Sequence, residues 1–194
     1  MRAQWAFGEF ANPCLLVVDA QEKYHTDAFH LPRAVPRIAE AIRAARRRGW
    51  SVYWTRYSRS PRPDGSMRRF YGGRTEADYG VDAARTAIVP ALHPRRFGLS
   101  ARGRVFRTRH LSSFSSPALE ARLCAHDLVV LCGGWTDHCI TATAHDAFGR
   151  ELSVCVLEDA CFAQKRSGRH AEAIAVLRGS IARIASVAEL DDAA

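Results

Sequence analysis

The chain has 194 residues, 47% of them apolar and 25% charged, with a formal net charge of +8. That length suits one domain spanning 1–194 with a full core, and the composition is that of an ordinary globular protein rather than a disordered or fibrous one. No apolar run is long enough to cross a membrane, and the first ten residues, MRAQWAFGEF, lack the apolar core of a signal segment, so a cytoplasmic protein is expected.

Arginine carries almost all of the positive charge, since Lys23 and Lys165 are the only lysines. The arginines cluster in RAARRRG and from RYSRSPRPDGSMRRF to RGRVFRTRH. Such clusters suit an anionic partner, or a solvated basic surface. No nucleic-acid motif accompanies them, so neither nucleic acid nor a membrane is expected as a partner. Six cysteines (Cys14, Cys124, Cys132, Cys139, Cys155 and Cys161) lie mostly inside apolar runs, with no CxxC pair. Reduced, buried thiols are expected rather than a disulfide framework or a structural zinc site.

In chain order, CLLVVDA is an unbroken apolar run ending in an acid, as in a parallel strand buried on both faces. LPRAVPRIAEAIRAARRRG places Val35, Ile38, Ile42 and Ala45 on one helical face, and Gly49 supplies the stop. WSVYWTRY reads as a second strand. Residues 58–80 hold prolines, glycines and charges without a period, which predicts a long surface loop. RVFRTRH is a short third strand. SPALEARLCAH is a helix with Ser116 as cap and Pro117 at its first position. DLVVLCG is a fourth strand, and TDHCITATAHDAFGR a helix burying Ile140, Thr143, Ala144, Ala147 and Phe148. LSVCVLEDA, SGRHAEAIAVLRG and SIARIAS close the chain as strand, helix and strand. Alternating strands and helices predict a three-layer α/β fold, a parallel sheet flanked by helices on both faces. Ligands in such sheets bind beyond the carboxyl ends of the strands, at the point where the strand order reverses. Asp19 closes the first strand and Cys139 follows the fourth, so the two are expected to meet there.

Cys139 is either a buried small hydrophobe or a nucleophile. Thr136 or Asp137 can cap the helix, which leaves Cys139 in its first turn. There the positive helix end and free N–H groups lower a thiol pKa and can hold an oxyanion. Asp19 either fixes a turn or acts as the acid and base partner of the thiol, for which partial burial would raise its pKa.

LLVVDAQ, HLSSF and GGWTDHCITATAHDAFGRELSVCVLEDAC together resemble the isochorismatase-like cysteine hydrolases, which include N-carbamoylsarcosine amidohydrolase. The resemblance runs from about Cys14 to Leu190. It implies a Rossmann-like, six-stranded parallel sheet, an Asp–Lys–Cys triad, and a homodimer or homotetramer. Asp19 takes the acid position, Cys139 the nucleophile, and Gln21 the glutamine two residues after the acid. The resemblance also implies a cis peptide in the cysteine loop, at Gly134–Trp135 or Trp135–Thr136, with an N–H for the oxyanion. The lysine position, four residues before the first serine of SSF, holds Thr108. Arg107 and Arg109 flank it, and a one-residue shift would turn either inward as a replacement cation.

The isochorismatases themselves typically lack the thiol. The metal-binding histidines of nicotinamidases have no counterpart in TRYSRSPRPDGSMRRF, so neither a metal nor another cofactor is expected. Trp135, Thr136 and His138 on the cysteine loop, with Gln21, Tyr24 and Arg109, are candidate substrate contacts. The basic loop around Arg68, Arg69 and Tyr71 offers charge for a carboxylate-bearing small molecule. The expected activity is hydrolysis of a C–N bond in a small amide, carbamoyl compound or lactam. The alternative is a lysine-less, non-hydrolytic relative: a metabolite-binding or assembly protein, or a secondary-metabolism enzyme using Asp19 as acid and base.

Overall fold

The two most apolar runs become the centre of a sheet. Strands β1 (Pro13–Val18) and β5 (Leu128–Gly134) are buried along their whole length. They lie side by side in parallel, with Val18 opposite Gly133. The computed structural model describes residues 5–24, 28–29, 31–58, 65–66, 69, 86–164 and 169–192. Most of the loop at 58–80, including Arg68 and Tyr71, lies outside the described residues, as does Lys165.

The other strands are β2 (Ala28–Phe29), β3 (Ser51–Tyr57), β4 (Val105–Thr108), β6 (Ser153–Gln164) and β7 (Arg183–Ala185). In space the parallel order is β7-β6-β5-β1-β3-β4, and β2 adds an antiparallel pairing to the end of β6. This is the six-stranded parallel sheet expected from the sequence. From β1 the chain builds outward through β3 and β4, then returns to β5 on the other side of β1. The order therefore reverses between β1 and β5, which opens a crevice at their carboxyl ends.

Helices cover both faces. Helix α1 (Leu31–Arg47) packs with the last helix, α5 (Val187–Asp192), on one face. Its Ile38, Ile42 and Ala45 are fully buried, and Gly49 ends the segment at φ 75°, a conformation that favours glycine. Each isoleucine removed from water contributes roughly 2 kcal/mol. Helices α2 (Pro117–Leu123), α3 (Thr141–Phe148) and α4 (His170–Ser180) supply the other face, through Leu119, Leu123, Ala144, Ala147, Ile174 and Leu177.

Several expectations are corrected. Strand β6 does not stop at the acidic pair Glu158–Asp159 but runs on to Gln164. Its pairing with β5 shifts from Leu131↔Val156 to Gly133↔Cys161, so the acids occupy an irregularity within the strand. Asp159 there accepts the Val187 N–H at 3.0 Å. Ser116 precedes α2 as expected, but its side chain makes no capping hydrogen bond. Phe148 is 52% exposed, because it lies at the last turn of a helix only two turns long. The six cysteines are free, and all but Cys124 are buried.

Gly133 and Gly134 let β5 pass unusually close to its neighbours. Gly133 sits at φ 103°, and a Cβ there would strike the Val18 main chain. At Gly134 a Cβ would meet the ring of Phe162. Gly133→Ala is expected to destabilise the fold by at least about 2 kcal/mol, through left-handed strain and a clash that backbone cannot relieve. Urea denaturation measures this, and an unchanged midpoint would contradict it.

Candidate active site

The chain leaves β1 at Asp19 with φ 45°, a left-handed conformation that aspartate tolerates better than most residues. This turn directs a 1% exposed carboxyl into the crevice. Asp19 and Thr55 of β3 hold each other reciprocally. The Asp19 N–H donates to the Thr55 hydroxyl at 3.1 Å, and that hydroxyl donates to Asp19 Oδ1 at 2.7 Å. Thr55 was not foreseen from the sequence. Its one signal is a small polar residue interrupting the apolar run SVYWTRY.

Beyond β5 the peptide between Gly134 and Trp135 is cis. The chain then forms a single π-helical turn, Thr136–Ile140, before α3 begins at Thr141. The helix expected from Thr136 is present, but its first turn is π rather than α, and the expected Thr136 or Asp137 side-chain cap does not occur. Thr136 instead turns its hydroxyl away, donating to the Phe162 carbonyl at 3.0 Å and lying 2.9 Å from His170 Nδ1. With its one proton used on the carbonyl, the hydroxyl accepts from His170, which places the His170 proton on Nδ1. The turn is also closed by Thr141, whose hydroxyl donates to the Thr136 carbonyl at 2.7 Å. Thr136 is fully buried, so its side chain positions the loop rather than meeting a substrate.

This turn delivers Cys139, 7% exposed, to Asp19. Its thiol lies beside the Asp19 carboxyl and the Trp135 main-chain N–H, close enough for both to act on its ionisation. Burial pushes the Asp19 carboxyl above the usual carboxylate range, against the pull of Thr55, Lys23, Cys139 and the Tyr57 main chain. Burial also pushes the Cys139 thiol well above its ordinary range, and the charge of Asp19 adds to this. The Trp135 N–H and the charge of Lys23 pull it down. The expectation of a thiol lowered by a helix terminus is thus corrected. Desolvation outweighs the backbone dipoles here, and the resting pair shares its protons between two poorly solvated groups.

Among the other candidates, Gln21 is fully buried and bonded at both amide atoms to main chain. Its Nε2 donates to the Tyr57 carbonyl at 3.2 Å and the Thr86 carbonyl at 2.8 Å, while Oε1 accepts the Tyr57 N–H at 2.9 Å. It ties the ends of β1 and β3 together, in place of the substrate contact expected of it. Half-buried Tyr24 packs its ring 5.1 Å from that of Trp135. Its phenol is held well above the usual range by burial and by the nearby Asp19 and Cys139, so it stays neutral. Trp135 Nε1 is buried without a hydrogen-bond partner among the described residues. The half-exposed His138 ring meets Trp135 edge-on at 5.8 Å, and its Nδ1 lies 3.1 Å from Asp137 Oδ1.

Thr108 is buried at the end of β4, with its hydroxyl lacking a partner among the described residues. Arg107 and Arg109 are both exposed, so neither takes the inward place that a one-residue shift would have given it. Strand alternation sends positions 107 and 109 outward whenever 108 faces the core. Arg107 donates to the Ser58 carbonyl at 3.2 Å. The serines of SSF are structural, with the Ser113 N–H and hydroxyl joined to Thr143 of α3 at 3.0 and 3.1 Å. A separate open cleft of about 640 Å³, between Trp5, Phe148 and Arg183, lies at the amino edge of the sheet, away from this chemistry.

The fold and this pair define an α/β protein with an acid and a thiol joined at the reversal of a parallel sheet. The isochorismatase domain model matches residues 13–189, and the chain belongs to the isochorismatase family. A search of curated proteins found no match. A Chromobacterium violaceum ATCC 12472 structure, assigned as a hydrolase of the isochorismatase family, is 26% identical; the match covers 100% of this chain and 98% of that one, with a TM-score of 0.74. A cysteine hydrolase from Pseudomonas syringae pv. phaseolicola 1448A is 20% identical over 100% of this chain and 99% of that one, at a TM-score of 0.76. N-carbamoylsarcosine amidase from Thermoplasma acidophilum is 23% identical over 91% and 97%, at 0.69. The last two show likeness of fold. Among the described residues, no helix is long and apolar enough to cross a membrane.

The raised Asp19 carboxyl has a consequence for stability. The folded state keeps its proton at a pH where the unfolded chain, near pKa 3.9, has lost it. Native stability conferred at low pH is therefore lost as pH rises through the folded pKa. Asp19→Asn keeps the left-handed preference and the bond from Thr55 but cannot ionise. Its stability relative to wild type is expected to grow between about pH 4 and pH 8 in urea denaturation. A difference that stays flat would show that Asp19 carries no desolvation penalty.

Proposed function

We propose that the protein is a cysteine-dependent hydrolase that cleaves a C–N bond of a small amide, carbamoyl compound or lactam through an acyl intermediate on Cys139. The observation that carries this reading is the placing of the buried Cys139 thiol beside the buried Asp19 carboxyl, where each acts on the other's ionisation. Membership of the isochorismatase family supports hydrolysis, and the likeness to an amidase favours a C–N bond.

In this reading the thiol proton passes to Asp19 as Sγ attacks the substrate carbonyl. The nucleophile forms during the step, which suits a site where burial disfavours a standing thiolate. The Trp135 N–H, which acts on the sulfur, is the donor available to an oxyanion forming beside it. Asp19, holding the proton, delivers it to the leaving nitrogen as the tetrahedral adduct collapses. It then takes a proton from water, which hydrolyses the thioester or carbamoyl enzyme and returns the proton to Sγ. A carboxyl raised toward neutrality serves both directions. Tyr24 and Trp135 Nε1 offer neutral hydrogen-bond donors beside the pair for substrate polar atoms. A homodimer or homotetramer remains part of this reading.

A panel of small amides, carbamoyl compounds and lactams, followed by release of ammonia or amine, tests the reaction class. Acid quenching of a turning-over sample is expected to show substrate mass added at Cys139. Cys139→Ala is expected to abolish turnover while changing stability by only about 1 kcal/mol. Turnover that survives this substitution excludes covalent catalysis. Wild type inert to the whole panel favours the non-hydrolytic relative.

A further inference from the structure

A buried carboxyl and thiol that share protons carry one negative charge through the attack, wherever the proton sits. An apolar site bears such a charge only with a cation or strong donors close by. Strand β4 supplies no cation, since Thr108 is neutral and Arg107 and Arg109 face outward.

Lys23 stands on the short helical turn Glu22–Tyr24, directly after β1. Its Nζ donates to the Tyr57 carbonyl at 3.1 Å. Tyr57 is the β3 residue paired in register with Thr108, and Ser58 N–H donates to the Thr108 carbonyl at 3.1 Å. The ammonium therefore lies against the neighbour of Thr108, having arrived from β1 rather than β4. It sits 4.9 Å from the centroid of the Tyr24 ring and 4.6 Å from that of Tyr57, where aromatic faces attract a cation. Among the described residues, the charged and titratable groups acting on the sulfur are Asp19 at the end of β1 and Lys23 and Tyr24 on the following turn, with Asp137 and His138 next to it in the cysteine turn.

We propose that Lys23 is the cation of this site: its ammonium, anchored on the Tyr57 carbonyl between two tyrosine rings, offsets the negative charge of the Asp19–Cys139 pair in place of a lysine at position 108. The charge of Lys23 favours the ionised forms of both Asp19 and Cys139, in keeping with this placement. Lys23 keeps its proton throughout. The transferred proton moves only between Sγ, Asp19 and the leaving nitrogen or water. Lys23 is thus a positioning residue that acts through the pair, and this role rests on the hydrolase reading above.

The test is the pH dependence of Cys139 alkylation by iodoacetamide, read by peptide mass spectrometry with exposed Cys124 as internal reference. Lys23→Met removes charge and donor; Lys23→Gln removes the charge but keeps a donor for Tyr57. Both are expected to raise the Cys139 midpoint by about one pH unit or more, while Lys23→Arg recovers at least half of that shift. Buried Cys14, Cys132 and Cys155 report folding by staying unreactive, and if Lys23→Met exposes them, Lys23→Gln decides alone. Adding Thr108→Lys to Lys23→Gln is expected to bring the midpoint back toward wild type. A midpoint that stays at the wild-type value without the Lys23 charge overturns the proposal, whatever the substrate panel shows. A shifted midpoint in a protein that no substrate acylates upholds the cation and removes the hydrolase reading instead.

Discussion

The protein is arranged around one close pairing in a place poor in water, between the Asp19 carboxyl and the Cys139 thiol. Each group alone would be a costly buried acid. Together they let one proton serve two atoms: the thiol eases ionisation of the carboxyl, while the carboxylate makes ionisation of the thiol harder. Thr55 fixes the carboxyl from one side, and the Trp135 N–H meets the sulfur from the other. In the proposed hydrolysis, such a pair moves a proton at the moment of attack rather than holding a reactive thiolate in waiting.

Bringing the pair together places severe demands on the backbone. Val18 and Gly133 are paired in register, so the ends of β1 and β5 lie side by side. Gly133 and Gly134 leave no room for a side chain against Val18 and Phe162. Thr136 then ties the cysteine turn to β6 and to the first residue of α4. Gln21 ties the end of β1 to β3 and to the Thr86 carbonyl. These buried polar side chains bind main chain and, at Thr136, the His170 ring, and their effect is to hold two turns still relative to each other.

In the role proposed for Lys23, positive charge reaches the site from the turn after β1 rather than from β4. What the pair needs is positive potential, and Coulomb attraction does not depend on which strand delivers it. A lysine stem spans several ångströms, so a turn after β1 reaches the same side of the pair as the end of β4. The Tyr57 carbonyl and two aromatic rings fix where the ammonium stops.

Much was legible in the sequence. Unbroken apolar runs announced the central strands, periodic Ile38, Ile42 and Ala45 announced α1, and the acid ending CLLVVDA and the cysteine after DLVVLC marked the reactive edge. Hydrophobic period and chain order carry this information because they depend on neighbours a few residues apart. The length of β6, the π turn at Thr136–Ile140, the reciprocal Thr55 bond and the place of Lys23 were not legible. Each depends on partners distant in the chain: a strand pairing past two acids, a threonine drawn to Phe162 and His170, an ammonium drawn to Tyr57. The sign of the Cys139 shift belongs with these. Local sequence suggested a helix terminus that lowers the pKa, whereas the whole fold buries the sulfur beside an acid, and desolvation is a property of everything packed around a group.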